Sequence, residues 1–446
     1  MGSVFSAANA IPKLNEVSSN ETCKRQKMSL STFDEESPRL IPNLPDELSL
    51  QILARLPRIS YFNVRLVSRK WKATIMSPEI YEVRKELRTS EEWLYLLIKV
   101  GEYKQQWYAV DPHSQIWQRL PTMPKVAEEQ ESRKSSSKLW MWNMVEGAVD
   151  GCLYVLGGFS KASTTSSVWR FDPMQNTWSK VTPMSTGRAY CKTGILNNKL
   201  YVVGGVSQGQ AGLIPLQSAE VFDPSTDTWS DVPSMPFSKA QVMPTVFWAD
   251  MLKPIATGLT SYMGRLCVPQ SLYSWPFFVD VGGEIYDPET NSWIEMPTGM
   301  GEGWPARQAG SKLSVVVDGE LYAFDPSNSP DSGRIKVYDQ GEDAWKVVIG
   351  KVPIHDSANS ESPYLLAGFH GKLHVITKDA NHDVAVLRAD LRNNRDCSSP
   401  SISSTSSSSS SSSSHSAAES DAVVWKVVAS RDFGKAELVS CQVIDI

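Results

Sequence analysis

The stretch "VFDPSTDTW", residues 221–229, is one copy of a unit that recurs along the chain and limits the folds it can adopt. Each copy joins an aspartate to a tryptophan six residues later. The copies are Asp111/Trp117, Asp172/Trp178, Asp223/Trp229, Asp287/Trp293 and, with glutamine where the others have proline, Asp339/Trp345. Successive aspartates are 51 to 64 residues apart. A period near 50 residues is typical of architectures built from repeated supersecondary units.

A second signature precedes the aspartate, a short apolar run closed by two glycines. The clear copies are "GCLYVLGG", ending at Gly157 and Gly158, and "NKLYVVGG", ending at Gly204 and Gly205. Such a run is typical of a buried strand followed by a sharp turn. Further short strands precede this run, precede the aspartate and follow the tryptophan. Each unit therefore has four antiparallel strands, which make one blade of a propeller.

The Asp–Trp unit is open to two interpretations, a catalytic or ligand-binding pair and a turn. The proline fixes φ after the aspartate, and the polar residues that follow favour a bend. We therefore interpret the unit as the turn between the third and fourth strands of a blade. The tryptophan is then expected to begin the outer strand and to pack toward the neighbouring blade.

Taken in series, these signatures resemble the kelch repeat family over residues 92–446. The resemblance implies an all-β, six-bladed propeller. The first blade lacks an innermost strand of its own, whereas the final stretch, "AELVSCQVIDI", is a strand without a blade. We therefore expect this C-terminal strand to complete blade one and close the ring. The fourth blade departs most from the repeat, so its strand boundaries stay open.

Residues 40–78 do not follow the repeat and show a helical pattern instead. Pro45 stands at the first turn of a helix that Pro57 ends. A second helical segment covers residues 60–67, and Ser68 caps a third that contains Trp71. The apolar positions exceed what three short helices can bury among themselves, which predicts a partner that supplies a groove.

This block, with bounds 39–84, resembles an F-box through the pair Leu44-Pro45, the stretch "ILARLP" at 52–57 and the stretch "VSRKW" at 67–71. The resemblance implies a small three-helix domain that docks on the Skp-type adaptor of a cullin–RING ubiquitin ligase. The residues implied in adaptor binding are Leu44, Pro45, Leu48, Ile52, Leu53, Leu56, Pro57, Val67 and Trp71. The alternative is a small helical domain that packs only on the propeller.

Composition and charge argue against several classes of function. A net charge of -5 and a pI near 5.8 give no general attraction to nucleic acid or anionic membrane. The widely spaced cysteines indicate a reducing compartment, cytosol or nucleus. No metal or other cofactor is expected. His370 and His374 flank one strand, but no third ligand stands out, and no base neighbours a cysteine.

Two segments have the composition of disordered chain. In the tail at residues 1–38, Gly2 and Ser6 match the myristoylation pattern, with an unmodified tail as the alternative. A serine-rich insertion at residues 398–420 interrupts the propeller and cannot bury enough apolar surface to fold. It is either a tolerated loop expansion or a phosphorylated switch.

An F-box followed by kelch repeats resembles the plant F-box/kelch proteins. The resemblance implies a non-catalytic substrate-recognition subunit of an SCF-type ubiquitin ligase. The F-box would hold the adaptor, and through it cullin and RING protein, while the propeller holds an unknown target protein. The alternatives are a metal-dependent modifier or enzyme and a scaffold that acts outside ubiquitination. The expected location is cytoplasm or nucleus, with peripheral membrane binding only if Gly2 is acylated.

The strand directions also predict where a target would bind. Loops after the Gly-Gly strand share a face with loops that lead into the next innermost strand. On that face we expect Arg188, Gln208, Trp304 and Arg307 to contact the target, because exposed Arg and Trp are favoured interface anchors. For Trp304 the alternative is packing inside blade four or five.

Overall fold

The computed structural model describes residues 39–101, 104–111, 113–124, 144–160, 163–210, 212–238, 253–274, 277–304, 314–325, 332–353, 364–390 and 424–446. The expectations for Gly2, for the tail at 1–38, for Arg307 and for the insertion at 398–420 lie outside these residues. The chain divides into two compact units, Met1–Ser49 and Leu50–Ile446. Within the described residues, no helix has the length and apolar character needed to cross a bilayer.

The segment before the propeller is helical, as its pattern predicts. Its elements are α1 (Asp46–Ala54), a 3-10 turn (Arg58–Ser60), α2 (Tyr61–Val64), α3 (Arg69–Ile75) and α4 (Pro78–Glu86). The Ser68 hydroxyl caps α3 by accepting the Trp71 amide. Helix α4 was not predicted; it has proline at its first position, which suits a helix N-terminus because proline lacks the unneeded N–H.

The rest of the described chain forms six antiparallel blades, which confirms the six-bladed propeller. Blade 1 contains β1 (Glu92–Val100), β2 (Lys104–Asp111) and β3 (Ile116–Arg119). Blade 2 contains β4 (Val145–Val149), β5 (Cys152–Leu156), β8 (Val168–Asp172) and β9 (Thr177–Val181), with the hairpin of β6 (Phe159–Ser160) and β7 (Ser163–Thr164) after β5. Blade 3 contains β10 (Lys192–Leu196), β11 (Lys199–Val203), β14 (Ala219–Asp223) and β15 (Thr228–Val232), with the hairpin of β12 (Val206–Gly209) and β13 (Gly212–Pro215) after β11.

The other three blades follow the same order. Blade 4 contains β16 (Lys253–Ala256), β17 (Thr260–Tyr262), β18 (Arg265–Ser274), β19 (Phe277–Asp287) and β20 (Ser292–Glu295), and helix α5 (Thr298–Gly303) follows it. Blade 5 contains β21 (Ser314–Val317), β22 (Glu320–Asp325), β23 (Ser332–Asp339) and β24 (Ala344–Pro353). Blade 6 contains β25 (Tyr364–Phe369), β26 (Lys372–Lys378), β27 (Val384–Asp390) and β28 (Val424–Arg431). In blade 4, β16 and β17 both pair with β18, so two short strands share the innermost position.

The strand β29 (Ala436–Asp445) closes the ring, and the expectation of C-terminal closure is confirmed. It pairs antiparallel with β1 along its length, with Val443 opposite Leu94 and Ala436 opposite Val100. An ion pair of 3.1 Å joins Lys99 to Glu437 across the same two strands. Since β1 begins the propeller and β29 ends it, this pairing removes the two sheet edges that an open ring would expose.

Glycine pairs allow the chain to leave the second strand and let the next blade approach closely. Gly157 and Gly158 have φ values of +63° and +83°, in the left-handed region that favours glycine. A Cβ atom on Gly157 would lie 2.2 Å from the Arg188 carbonyl oxygen. Gly204 and Gly205 repeat this conformation in blade 3.

The Asp–Trp unit closes a turn, and in blades 2 to 5 it ties the blade to the one before it. Asp223 accepts the Ser225 amide at 3.0 Å, and the hydrogen bond from the Ser225 hydroxyl helps to lower the pKa of the Asp223 carboxyl to about 2. The Trp229 indole donates to the Thr182 carbonyl of blade 2 at 2.9 Å. Equivalent bonds run from Trp178 to Pro121, from Trp293 to Pro233 and from Trp345 to Met300.

Apolar clusters fill the spaces between neighbouring blades. Between blades 6 and 1, Leu96 packs with Val386 and Leu438. Between blades 2 and 3, Tyr154 packs with Phe222. Each blade therefore buries apolar surface against both of its neighbours, and the stability of one blade depends on the presence of the next.

Removing residues 437–446 is expected to abolish the cooperative unfolding of the propeller, because it leaves β1 without its partner and opens the apolar cluster that Leu438 fills. Circular dichroism melting curves and light scattering of the full-length and shortened chains measure the effect. Deletion of the serine run at residues 406–414 is a control of similar length and should leave the melting curve unchanged. A shortened chain that melts like the full-length chain would contradict the role of β29.

Candidate functional site

The helical segment leaves several apolar side chains in solvent. Leu48 and Ile52, one turn apart on α1, are 47% and 45% exposed. Between α2 and α3, Leu66 and Val67 are 79% and 63% exposed. Apolar side chains this exposed in so short a segment indicate an interaction surface.

The other expected adaptor residues differ in exposure. Pro45 and Pro57 are exposed, whereas Leu44, Leu56 and Trp71 are half-buried. Leu53 is the exception, because its side chain is fully buried. The expectation that Leu53 contacts an adaptor directly is therefore corrected: it fills the interior, and its carbonyl accepts the Tyr61 hydroxyl at 3.0 Å.

Arg84 of helix α4 joins the helical segment to the strand that closes the ring. Its side chain is fully buried, and its Nε donates to the main-chain oxygen of Ile446 at 3.2 Å. Its Nη1 donates to the carbonyls of Ala54 and Leu56 at 3.0 and 2.7 Å. The guanidinium also lies 3.3 Å from the Glu91 carboxylate. One buried cation thus connects the end of α1, the entry to β1 and the end of β29.

Further contacts place the helices from Arg58 onward on one end of the propeller, which we call the helix face. It carries the turns between first and second strands and between third and fourth strands. Arg58 donates to the Pro173 carbonyl at 3.0 Å, in the turn between β8 and β9. Lys85 lies 3.3 Å from Asp150, in the turn between β4 and β5. No role was predicted for Arg58 or Arg84, because the neighbouring residues in the sequence give no signal that a charged side chain is buried.

The opposite end, which we call the hairpin face, carries the hairpins β6–β7 and β12–β13. The two hairpins touch where the hydroxyls of Thr164 and Ser207 lie 3.3 Å apart. Gln208 is exposed on β12, and its contact with a target stays a prediction. Leu213 and Ile214 on β13 are 47% and 49% exposed. Of this loop, only Gln208 was predicted to contact a target, and its two apolar residues were not.

Arg188 does not contribute its side chain to the hairpin face, and that expectation is corrected. The side chain is fully buried and forms an ion pair of 2.7 Å with Glu220. Its guanidinium also donates to the carbonyls of Gly204 and Ser218 at 3.0 and 2.8 Å. Glu220 in turn accepts the Ser185 amide at 2.7 Å. This network fixes the loops around the Gly-Gly turn of blade 3.

Trp304 is also buried, with 5% of its surface exposed. Its ring meets that of Trp345 edge-on, with centroids 5.4 Å apart. The expectation of target contact by Trp304 is therefore corrected: the side chain is packed inside the propeller, in a cluster that blades 4 and 5 share.

The two histidines considered as metal ligands lie in different environments. His374 is buried and stacks on Phe369 with ring centroids 3.7 Å apart. Burial lowers the pKa of its imidazole to about 4, so the ring is neutral at physiological pH. His370 occupies the turn before β26 and meets the ring of His113 at 4.7 Å. Within the described ranges, no group of three or more metal-binding side chains comes together.

Family models match both parts of the chain. The model described as FKB95, Kelch-repeats domain, matches residues 130–396, and the F-box domain model matches residues 41–83. The chain belongs to the F-box/kelch-repeat family. It is 62% identical to the Arabidopsis thaliana F-box/kelch-repeat protein At1g22040, over all of both chains.

The similarity to more distant relatives within the family covers only part of each chain. The chain is 28% identical to the Arabidopsis thaliana F-box/kelch-repeat protein At1g30090, with 64% of each chain covered. A solved structure titled "Structure of YjhT" matches with a TM-score of 0.41 and 15% identity, covering 65% of this chain and 89% of that chain. At that similarity, no property of that protein is transferred to this one.

Replacing Arg188 by methionine is expected to lower the free energy of unfolding by about 3–5 kcal/mol, because Glu220 then remains buried without its cation. Urea-induced unfolding measures the change. A second substitution, Glu220→Gln, should restore part of the loss. Lys346→Met is the control: this lysine is 45% exposed and pairs with Asp339 at the surface, so its loss should have no measurable effect. An Arg188→Met chain as stable as the parent would contradict the structural role.

Proposed function

We propose that this F-box/kelch-repeat protein is the substrate-recognition subunit of an SCF-type ubiquitin ligase. The observation that carries the proposal is the set of exposed apolar side chains in the helical segment, Leu48, Ile52, Leu66 and Val67. A groove on a Skp-type adaptor would cover such side chains. Through that adaptor the protein would join cullin and a RING protein.

The two ends of the propeller would have different functions. The helices from Arg58 onward occupy the helix face, where Arg58 and Arg84 tie them to blades 1 and 2. The hairpin face then presents Gln208, Leu213 and Ile214 to a target protein. Binding there would raise the rate of ubiquitination by raising the effective concentration of the target's lysines at the ligase. The subunit itself makes and breaks no bonds.

Cytoplasm or nucleus is the compartment that this role requires. Acylation of Gly2, if it occurs, would add weak and reversible membrane binding, because a single acyl chain is a marginal anchor. The competing functions are a scaffold that binds the adaptor without ubiquitination and a metal-dependent modifier of small molecules. No described group of side chains favours the second of these.

Leu48→Asp combined with Ile52→Asp is expected to abolish recovery of the Skp-type adaptor in pull-downs, because both side chains are exposed and each carboxylate would have to be desolvated in an apolar groove. The melting curve should stay close to that of the parent for the same reason. Val347→Asp, at a side chain 50% exposed on β24, is the matched control and should retain the adaptor. Full recovery by the double variant would overturn this assignment.

Leu213→Asp combined with Ile214→Asp is expected to stabilise the target protein in cells, because the hairpin face loses its apolar contacts while the adaptor is still bound. Proximity labelling under proteasome inhibition, compared between parent and variant, identifies the target as the protein whose labelling is lost. Ile294→Asp, at a side chain 46% exposed on β20, is the control. Labelling that is unchanged in the double variant would rule out this part of the face.

A further inference from the structure

The innermost strands of the propeller surround a central channel that holds a cavity of about 360 Å³. This volume is within the range of small-molecule sites. Polar side chains contributed by several blades line it, namely Glu146, Lys192, Thr260, Ser314, Ser440 and Gln442. Tyr190 and Gly258, which precede innermost strands, also line it, so the cavity reaches toward the hairpin face.

Lys192, the first residue of β10, is a cation without a counter-ion in this cavity. No hydrogen bond or ion pair joins its ammonium to any residue that the structure describes. Burial lowers the pKa of the Lys192 ammonium, although the side chain is only half-buried. Even partial loss of water from an ammonium is costly unless a partner compensates for it.

Glu146, on the neighbouring strand β4, is not a permanent counter-ion for that ammonium. Its side chain is 6% exposed, and burial raises the pKa of the carboxyl to about 7. The carboxyl therefore exchanges its proton near physiological pH. The Glu146 carbonyl is held by Gln442 at 3.0 Å and by the Thr193 hydroxyl, which fixes the strand on the channel wall.

The remaining described groups on the channel wall carry no charge. The hydroxyls of Thr260 and Ser314 bond to each other at 2.6 Å. Burial raises the pKa of the Cys191 thiol to about 12, so it stays neutral. Ser440, from β29, faces Glu146 as a hydrogen-bond partner. The charge balance of the cavity is thus set by Lys192 and Glu146 among the residues that the structure describes.

We propose that the central channel binds a small organic carboxylate, with the Lys192 ammonium as its counter-ion and the Glu146 carboxyl as a proton-sharing partner. A phosphate group would carry between one and two negative charges, which one lysine cannot neutralise. The protonated Glu146 carboxyl can donate a hydrogen bond to the bound carboxylate, while the Lys192 ammonium balances its charge. Leu259, Val315 and Val316 supply apolar wall for the body of the ligand.

The site goes beyond the proposed ligase function and can be tested without it. The full-length chain is titrated with acetate, succinate and benzoate by isothermal titration calorimetry, with benzamide as the neutral counterpart of benzoate and inorganic phosphate as a separate arm. We expect saturable binding of at least one carboxylate, with benzamide bound far more weakly.

Lys192→Met is expected to weaken carboxylate binding at least about tenfold, the effect of losing a charge-assisted hydrogen bond. The variant should unfold at the same or a higher temperature than the parent, because it replaces a partly desolvated ammonium with an apolar chain of similar length. Its melting curve therefore separates lost binding from lost folding. Lys199→Met is the matched control, since Lys199 is 44% exposed on β11 and pairs with Asp223 away from the channel.

The pH dependence supplies a second test. Binding to the protonated form of Glu146 should weaken as the pH rises through about 7, approaching about tenfold per pH unit well above the pKa of the carboxyl. Glu146→Gln keeps the shape and a hydrogen donor but cannot titrate, so its affinity should vary little over the same range. No saturable carboxylate binding, equal binding by the Lys192→Met chain, or tighter binding of phosphate would each overturn the proposal.

Discussion

The antiparallel pairing of β29 with β1 is the contact on which the rest of the propeller depends. It joins Lys99 to Glu437, which are 338 residues apart along the chain. The entropic cost of closing so long a loop is large, and the ring requires only one such closure. The apolar cluster between blades 6 and 1 includes residues of both strands. Closing the ring therefore completes the burial of the first blade and the last blade in one step.

Much of this architecture could be predicted because the repeat encodes local geometry. The proline after Asp223, the glycine pair at 204 and 205 and the spaced tryptophans report turns and strand ends wherever they occur. The environments of Arg188 and Trp304 could not be predicted in this way. The burial of Arg188 depends on Glu220, 32 residues further along the chain, and nothing near Arg188 in the sequence reveals that pairing. Reading an arginine or a tryptophan as exposed from residue type alone fails where a distant partner compensates for burial.

In the helical segment too, the sequence predicted local features but not contacts between distant residues. The apolar pattern predicted α1 and the cap at Ser68, because both are local. It did not predict helix α4 or the function of Arg84, whose partners include Ala54 and Ile446. Arg84 binds main-chain oxygens for the most part, so the identities of the partner residues carry no trace of the interaction. On α1, Leu48 and Ile52 are exposed and their contact with an adaptor stays a prediction, whereas Leu53 belongs to the interior.

The order of synthesis gives the closing strand a genetic consequence. The helical segment is translated first, whereas β29 is translated after all the other strands of the propeller. A message with a premature stop codon before residue 436 would thus encode the helical segment without a closed ring. In such a product the buried Arg84 would also lose its main-chain partner Ile446, so we expect truncating alleles to disturb the helical segment as well as the ring.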